Sequence, residues 1–422
     1  MALSVQHIHD YFLQQKALYY RNYRLFMTGQ TLSLIGTWIQ RIAMIWLAYR
    51  LTNSAWLLGL VAFCEQVPIF IIAPFAGVFA DRWNKLAALR RIEAFAMLQA
   101  FLLGLLTLLG LIQVWQIIVL SLCLGTINAF EVPVRQSFVV EMVNRDKSAL
   151  TNAIALNSTV FNLSRLIGPT IAGVLIATAG EGWCFMINAL SYGAVLLSLF
   201  MMRMHRGMIK RYSGEEQVLR QLKDGIRYIA GKPVMRDMLL MLALVSFVNA
   251  GTQTLAPVFA KDVLHGNAST LGWLMGAGGV GAIIGAIYLT RQRPESALLK
   301  IVSFTGYLLG AAMLGFAASP VLAISLLAIS VTGFSQMLHT ASTNTLLQLF
   351  TDDDKRGRVM SFYTMSLQGM MPFGSLLAGA LAHFTSGPWA IAIMAAICLA
   401  GTFVLRQKKQ VKMKPLLQEK TG

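Results

Sequence analysis

Residues 55–85 read AWLLGLVAFCEQVPIFIIAPFAGVFADRWNK. Within this stretch, residues 55–79 are apolar except for the neighbours Glu65 and Gln66, and a charged turn follows them. A transmembrane α-helix needs about 20 consecutive, mostly apolar residues. The stretch therefore predicts one membrane-spanning helix with an acid inside it and a charged loop at its end.

The same pattern recurs along the chain. Of the 422 residues, 56% are hydrophobic and 13% are charged, whereas a soluble domain carries about 25% charged residues. We therefore predict an all-α membrane protein with twelve transmembrane helices. The predicted segments are 26–49, 55–79, 92–112, 115–134, 152–178, 184–202, 238–260, 269–290, 298–317, 320–342, 359–383 and 388–405.

The longest connection divides the chain into two sets of six helices. We predict an N-terminal six-helix bundle over 1–202, a basic, amphipathic cytoplasmic linker over 203–237, and a C-terminal six-helix bundle with a basic tail over 238–422. The halves also resemble each other, because IGPTIAG at 167–173 aligns with FGSLLAG at 373–379, an offset of 206 residues. Same-direction repeats of six helices are typical of a two-half transporter.

Basic residues assign the sides of the membrane. Of the 35 Lys and Arg residues, only Arg50 and Lys261 fall on the side opposite the termini, and Arg41 and Arg165 fall inside predicted spans. Since cytoplasmic loops carry the excess of Lys and Arg, we expect both termini in the cytoplasm and the protein in the cell inner membrane. The net charge of +17 then sets topology and favours anionic lipids as partners, so it does not indicate nucleic-acid binding.

The sequence contains no pattern typical of an enzyme. No Ser-His-Asp, metal-ligand or phosphate-loop spacing is present, the six His are scattered, and the four Cys lie in apolar segments. Cys in such segments behaves as a small hydrophobic residue. We therefore expect no catalytic residues, no metal, no cofactor and no disulfide framework.

The loop after the second segment carries a family motif. GVFADRWNK at 77–85 resembles the Gly-x-x-x-Asp-Arg-x-Gly-Arg-Arg loop of the major facilitator superfamily, with Asn84 in place of the second Gly. With the twelve segments and the long central connection, this resemblance implies the major facilitator fold of two six-helix bundles.

Further motifs narrow the resemblance and cover most of the chain. They are GTWIQ at 36–40, LTNS at 51–54, AFEVPVRQ at 129–136, NAIALN at 152–157 and RGRVM at 356–360. These motifs resemble the enterobactin-exporter-like branch, also called transmembrane secretion effectors, which includes macrolide effluxers. The resemblance implies export of siderophores or drugs coupled to the proton gradient.

Two stretches depart from the pattern of antiporters in the superfamily. Many of these antiporters carry an Arg in the outer half of the fourth helix, but SLCLG at 121–125 has no charge. The antiporter motif of the fifth helix is matched only in part, at Gly168, Pro169 and Gly173. A proton relay through that Arg is therefore not available here.

Charges inside the membrane are the strongest indication of function, because each costs several kcal/mol unless it is paired or wet. Arg41, Glu65 and Arg165 all fall near the middle of predicted spans, and Glu65 is the one carboxylate expected at this depth. We expect Arg41 and Arg165 to bind substrate and Glu65 to couple transport to protons. The alternative is a structural Arg–Glu pair that holds the first, second and fifth helices together.

Uncharged polar residues complete the candidate substrate site. Trp38 and Gln40 precede Arg41 in the first segment, and Gln253, Gln336 and His339 lie in segments of the C-terminal half. His titrates near neutral pH, although a lone His in a membrane helix more often serves as a packed hydrogen-bonding residue.

Loop residues on the side of the termini suggest a gate. The family resemblance places Asp81 against the N-terminus of the eleventh helix, near Arg358, where a carboxylate interacts favourably with the helix dipole. Arg135, at the end of the fourth helix, is a possible partner of Asp81, and Arg82 and Glu131 belong to the same set of candidate gating residues. Alternatively, Asp81 and Arg82 are solvated charges that only set topology.

The sequence thus predicts a secondary transporter that exports a sizeable amphipathic organic molecule, a siderophore or a drug, in exchange for protons by alternating access. The expected partners are this small molecule, protons and membrane lipids. One alternative is a flippase or importer of a lipid-like substrate. The other is a transport-inactive membrane scaffold that recruits a partner through the linker.

Overall fold

The structure is a computed structural model that describes residues 16–144, 146–203, 227–291, 295–352 and 355–418. It does not describe the side chains of residues 73–75, 77–82, 147 and 408–418. Most of the predicted linker, residues 204–226, lies outside the described residues.

The described residues form thirteen α-helices, and no β-strand occurs among them. In chain order the helices are α1 (Arg21–Thr52), α2 (Ala55–Arg82), α3 (Lys85–Leu108), α4 (Val114–Met142), α5 (Lys147–Ala179), α6 (Glu181–Met201), α7 (Pro233–Val258), α8 (Ala268–Thr290), α9 (Glu295–Ala318), α10 (Leu322–Phe350), α11 (Arg356–Gln368), α12 (Met371–Phe384) and α13 (Gly387–Gln418). Eleven helices in the described ranges are long and apolar enough to cross a membrane. This arrangement confirms the predicted all-α membrane fold.

The eleventh predicted segment, 359–383, is wrong as a single helix, because the structure divides it into α11 and α12. Pro372 lies in the first turn of α12, where its missing N–H group is tolerated but where it cannot bond to the preceding turn. Gly369, in the break, approaches the Phe70 ring so closely that a Cβ there would lie 2.6 Å from it. The pair Gly369 and Pro372 is the sequence signal for this break.

Helix α3 begins earlier than the predicted start at residue 92. Its first residue is Lys85, and the Asn84 side chain caps it by accepting a hydrogen bond of 3.1 Å from the Ala87 N–H group. Asn is among the best N-cap residues, so the replacement of the family Gly by Asn84 has a structural role. The earlier start moves Glu93 from the edge of the helix to its interior.

The chain divides into two compact units, which we describe separately. The first comprises residues 1–44 and 71–212, so it holds most of α1, the end of α2, and α3–α6. Its strongest helix pairs are α3 with α6 and α3 with α4. Gly182 of α6 allows this close approach, because a Cβ there would lie 2.7 Å from the Leu108 side chain of α3.

The second unit comprises residues 45–70 and 213–422, so it holds the end of α1, most of α2, and α7–α13. Helix α10 packs against α8 and α9, and α7 packs against α12. Helix α2 joins this unit where Gly59 meets α12, at a distance that would place a Cβ 2.7 Å from the Ser375 carbonyl oxygen. The predicted division into 1–202, a linker over 203–237 and 238–422 stays a prediction.

The internal repeat is visible in the helix packing of both units. A Cβ at Gly168 of α5 would collide with the Cβ of Trp38 on α1, and a Cβ at Gly374 of α12 would collide with the Phe247 backbone on α7. These glycines are aligned by the 206-residue offset. Each repeat thus uses a glycine to bring its fifth helix against its first.

Candidate functional site

Three of the predicted substrate residues come together in the first unit, on α1 and α5. Arg41 and Arg165 are half-buried and interact electrostatically with each other. The Arg41 guanidinium lies 5.4 Å from the centroid of the Trp38 ring, and this ring meets Phe161 of α5 edge to face at 6.0 Å. We call Arg41 and Arg165 the arginine pair. Two guanidinium groups beside an aromatic face are suited to an anionic group attached to an apolar body.

Gln40, the residue directly before Arg41 on α1, takes part in a buried amide network. It is 1% exposed and donates to Gln99 of α3 at 3.0 Å. Its side-chain oxygen accepts from Asn188 of α6 at 2.8 Å, and Gln99 donates to the Leu120 carbonyl of α4 at 3.2 Å. Because these bonds engage both ends of the Gln40 amide and join four helices, we leave Gln40 out of the substrate site proposed below.

The remaining predicted substrate and proton residues lie in the second unit. Glu65 on α2, Gln253 on α7 and Gln336 on α10 are half-buried. His339, one turn after Gln336, is fully buried, and its Nδ1 lies 2.8 Å from the Thr305 hydroxyl of α9. The side-chain oxygen of Gln336 is buried and has no hydrogen-bond partner among the described residues.

The predicted gating residues are only partly described. Asp81 and Arg82 are the last two residues of α2, and their side chains lie outside the described part of the structure. Arg358 lies in the first turn of α11, in agreement with the expected start of that helix. Arg135 is paired with Glu131, one turn before it on α4, at 2.5 Å. This partner of Arg135 differs from the predicted one, Asp81.

Helix α3 carries a buried acid, Glu93, that the apolar segments do not predict. Glu93 is only 3% exposed and interacts electrostatically with Glu131 and Arg135. Glu65 is therefore not the only carboxylate inside the helices. The signal was Asn84, because an N-cap at that position places Glu93 two turns inside α3 instead of at its first residues.

Each unit also contains one Tyr–Asp hydrogen bond between helix ends, which the sequence segments do not predict. The Tyr20 hydroxyl donates to Asp146 at 3.2 Å in the first unit, and the Tyr228 hydroxyl donates to Asp352 at 2.8 Å in the second. The two aspartates differ in number by 206, the offset of the internal repeat. Extending the repeat alignment beyond its glycine motif predicts this correspondence.

Both aspartates are held in their ionised form by their partners. The backbone N–H groups of Ala149 and Ser148 keep the pKa of the Asp146 carboxyl below its ordinary value. The Tyr228 hydroxyl and the ammonium group of Lys232 likewise lower the pKa of Asp352. Both residues lie before the first turn of a helix, outside the membrane-spanning segments.

Metal-binding side chains are not gathered anywhere in the described ranges. No group of three or more His, Cys, Asp or Glu residues is placed to hold a metal ion there. Cys64, Cys123, Cys184 and Cys398 are free thiols.

Known proteins are similar to this chain over nearly its whole length. The family model described as "Transmembrane secretion effector" matches residues 17–420. A staphyloferrin A transporter of Staphylococcus aureus is 28% identical over 391 residues, which cover 92% of this chain and 96% of that protein. The multidrug efflux pump Tap of Mycolicibacterium fortuitum is 26% identical over 360 residues, covering 82% of this chain and 86% of Tap.

A solved structure supports the fold. The crystal structure of a bacterial homologue of the human lysosomal transporter Spinster, in an inward-facing and occupied conformation, superposes with a TM-score of 0.72. The match covers 94% of this chain and 98% of that one at 14% sequence identity. At this identity the likeness shows the fold alone.

Proposed function

Because the chain belongs to the transmembrane secretion effectors, a family of major facilitator transporters, we propose that it exports a sizeable amphipathic organic molecule, a siderophore or a drug, in exchange for protons. The predicted family membership is confirmed, and the protein is a multi-pass membrane transporter of organic molecules, not an enzyme. To family membership, the proposal adds export as the direction of transport, protons as the coupling ion, and siderophores or drugs as the substrate class. The staphyloferrin A and multidrug relatives support both substrate classes.

The arginine pair carries the proposal of an anionic or catechol-like substrate. An Arg in the middle of a membrane helix costs about 2.5–3.5 kcal/mol on insertion scales. Two of them side by side, on α1 and α5, add mutual repulsion to that cost. A substrate anion that lies against Trp38 and bonds to Arg41 and Arg165 offsets both the cost of placing the arginines in the membrane and their mutual repulsion. In the second unit, Gln253, Gln336 and His339 stay proposed substrate residues, and the buried Gln336 oxygen without a partner among the described residues supports a polar ligand there.

Glu65 is the proposed proton-coupling acid. It lies in the apolar part of α2, half-buried, about a turn and a half from Gly59, the glycine through which α2 approaches α12. A carboxylate in such surroundings favours the neutral form when it is dry and the ionised form when it is wet. We propose that cycling of Glu65 between dry and wet surroundings couples transport to protons.

The proposed gate lies on the side of the termini, which we place in the cytoplasm from the distribution of Lys and Arg. The proposed gating residues are Asp81, Arg82, Glu131 and Arg135 in the first unit and, described separately, Arg358 in the second. We expect Asp81→Ala to increase the labelling of cysteines introduced at the cytoplasmic helix ends at least threefold. Unchanged labelling would remove Asp81 from the gate.

The test is transport by the purified protein in liposomes, with radiolabelled staphyloferrin A as the probe. An imposed pH gradient should drive accumulation of the probe, and Glu65→Gln should abolish the stimulation by the gradient while leaving probe binding intact. Glu295→Gln, at an exposed position that begins α9, is the matched control and should transport normally. Transport that ignores the pH gradient, or no transport of this probe or of a panel of drugs, would contradict the proposal.

A further inference from the structure

A second acidic group, separate from Glu65, is buried between α3, α4 and α6 of the first unit. Glu93 of α3 is 3% exposed, and it interacts electrostatically with Glu131 and Arg135 of α4. The buried Tyr192 of α6 interacts with both carboxylates. We call Glu93, Glu131 and Arg135 the Glu–Arg–Glu cluster.

The charges of the Glu–Arg–Glu cluster do not balance if every group is ionised. Arg135 is paired with Glu131 at 2.5 Å through its Nε, and Glu93 interacts electrostatically with both residues. Two carboxylates and one guanidinium sum to one negative charge. In a buried site of low dielectric constant, two neighbouring carboxylates do not both stay ionised unless each has a cation.

Of the other cations on α3, Arg91 is exposed, and Arg90 and Lys85 are engaged elsewhere. Arg90, one turn before Glu93, donates to the Leu199 carbonyl at 2.7 Å and lies over the Phe200 ring at 4.5 Å. Lys85 pairs with Glu141 at 2.5 Å. Neither cation is placed to neutralise Glu93, so a proton is the simplest counter-charge.

We propose that Glu93 is a second proton-carrying residue of this transporter, held in the neutral form while Arg135 pairs with Glu131. When the O–H bond of the Glu93 carboxyl breaks, the proton passes to water and Arg135 is shared between two carboxylates. Uptake of a proton from the other side of the membrane restores the Glu131–Arg135 pair. The inference rests on the proposed proton-coupled export and adds a proton site next to the one at Glu65.

The cluster is connected to the helix that carries the arginine pair. The Tyr192 hydroxyl lies 3.4 Å from the Thr37 hydroxyl, and Thr37 directly precedes Trp38 on α1. Pro133 lies between Glu131 and Arg135 inside α4, where a missing backbone hydrogen bond makes bending easier. A change in the pairing of Arg135 therefore acts on the geometry of α4 and reaches α1 through Tyr192.

Infrared spectroscopy of the full-length protein in detergent tests the protonation of Glu93 without any substrate. At neutral pH the spectrum of the wild type minus that of Glu93→Gln should show the C=O stretch of a protonated carboxyl. Glu131→Gln should abolish this band, because Glu93 then ionises and takes over Arg135. Glu141→Gln, which removes only the partner of Lys85, is the matched control and should keep the band. A difference spectrum with ionised carboxylate bands for Glu93 would overturn the proposal.

Liposome transport of staphyloferrin A separates this inference from the proposed function. In Glu93→Gln, accumulation driven by a pH gradient should fall at least tenfold. Exchange of external for internal staphyloferrin A, which moves no net proton, should continue at the normal rate. A merely structural role would lower both rates together, and that result would overturn the inference. If the wild type itself ignores the pH gradient, the proposed function fails, whatever the infrared result for Glu93.

Discussion

The two repeats use the same contact at the start of the fifth helix but complete it differently. In the first, Asp146 accepts from the Tyr20 hydroxyl and also caps α5, accepting from the Ser148 N–H at 2.8 Å. In the second, Asp352 accepts from the Tyr228 hydroxyl and from Lys232 at 3.4 Å. There α11 begins only at Arg356 and has no side-chain cap.

The difference continues along the helices that follow these aspartates. Helix α5 is continuous over 33 residues, whereas its counterpart is divided into α11 and α12. A helix that is broken at Gly369 and Pro372 bends at that point. The first repeat keeps its fifth helix continuous although Pro169 lies inside it, whereas the second repeat divides the corresponding helix.

The largest loss of stability is expected at Gly374, which allows α12 to pack closely against α7. Gly374→Ala should cost about 3 kcal/mol, because the new Cβ collides with the Phe247 backbone, which has no rotamer to change. Gly315→Ala on α9 is the control, since no atom lies within 4 Å of a Cβ there. Thermal unfolding in detergent measures both variants, and equal midpoints would show that α12 does not depend on this close approach.

Removal of the aspartate should lower the thermal stability more in the first repeat than in the second. Asp146→Ala removes the cap of α5 and should lower the thermal midpoint by about 2 °C, whereas Asp352→Ala removes only exposed contacts and should lower it less. Tyr20→Phe and Tyr228→Phe, which remove only the phenol hydroxyl, should have equal and smaller effects. A larger loss for Asp352→Ala than for Asp146→Ala would reverse the comparison of the two helices.

The smallest effect is a pH dependence common to both repeats. The folded protein lowers the pKa of Asp146 and of Asp352. Their contribution to stability is therefore complete above the ordinary carboxyl pKa and is lost as the pH falls through the lowered values, below about pH 4. The midpoint difference between the wild type and an Asp146→Asn, Asp352→Asn double variant should stay constant from pH 7 to 5 and shrink below pH 4. A difference that disappears between pH 7 and 5 would contradict these shifts.

The apolar segments and loop motifs were sufficient to predict the helices, the fold and the family. Helix ends were less predictable, because Asn84 and Asp146 extend α3 and α5 beyond the apolar windows by capping polar first turns. Side-chain pairing was not predictable either. The partner of Arg135 depends on how α4 turns its faces, and the burial of Glu93 depends on the packing of α3 against α4 and α6, which no local pattern reports.

The central claim is that the arginine pair binds the substrate, and affinity measured on purified variants tests it most directly. Arg41→Met and Arg165→Met should each weaken staphyloferrin A binding by about 10- to 150-fold, the loss of one charge-assisted hydrogen bond, with normal expression. Met371→Leu, at the position that the 206-residue offset aligns with Arg165, should bind like the wild type. Unchanged affinity in both Arg variants, or poor expression with normal affinity, would show that the arginines are structural.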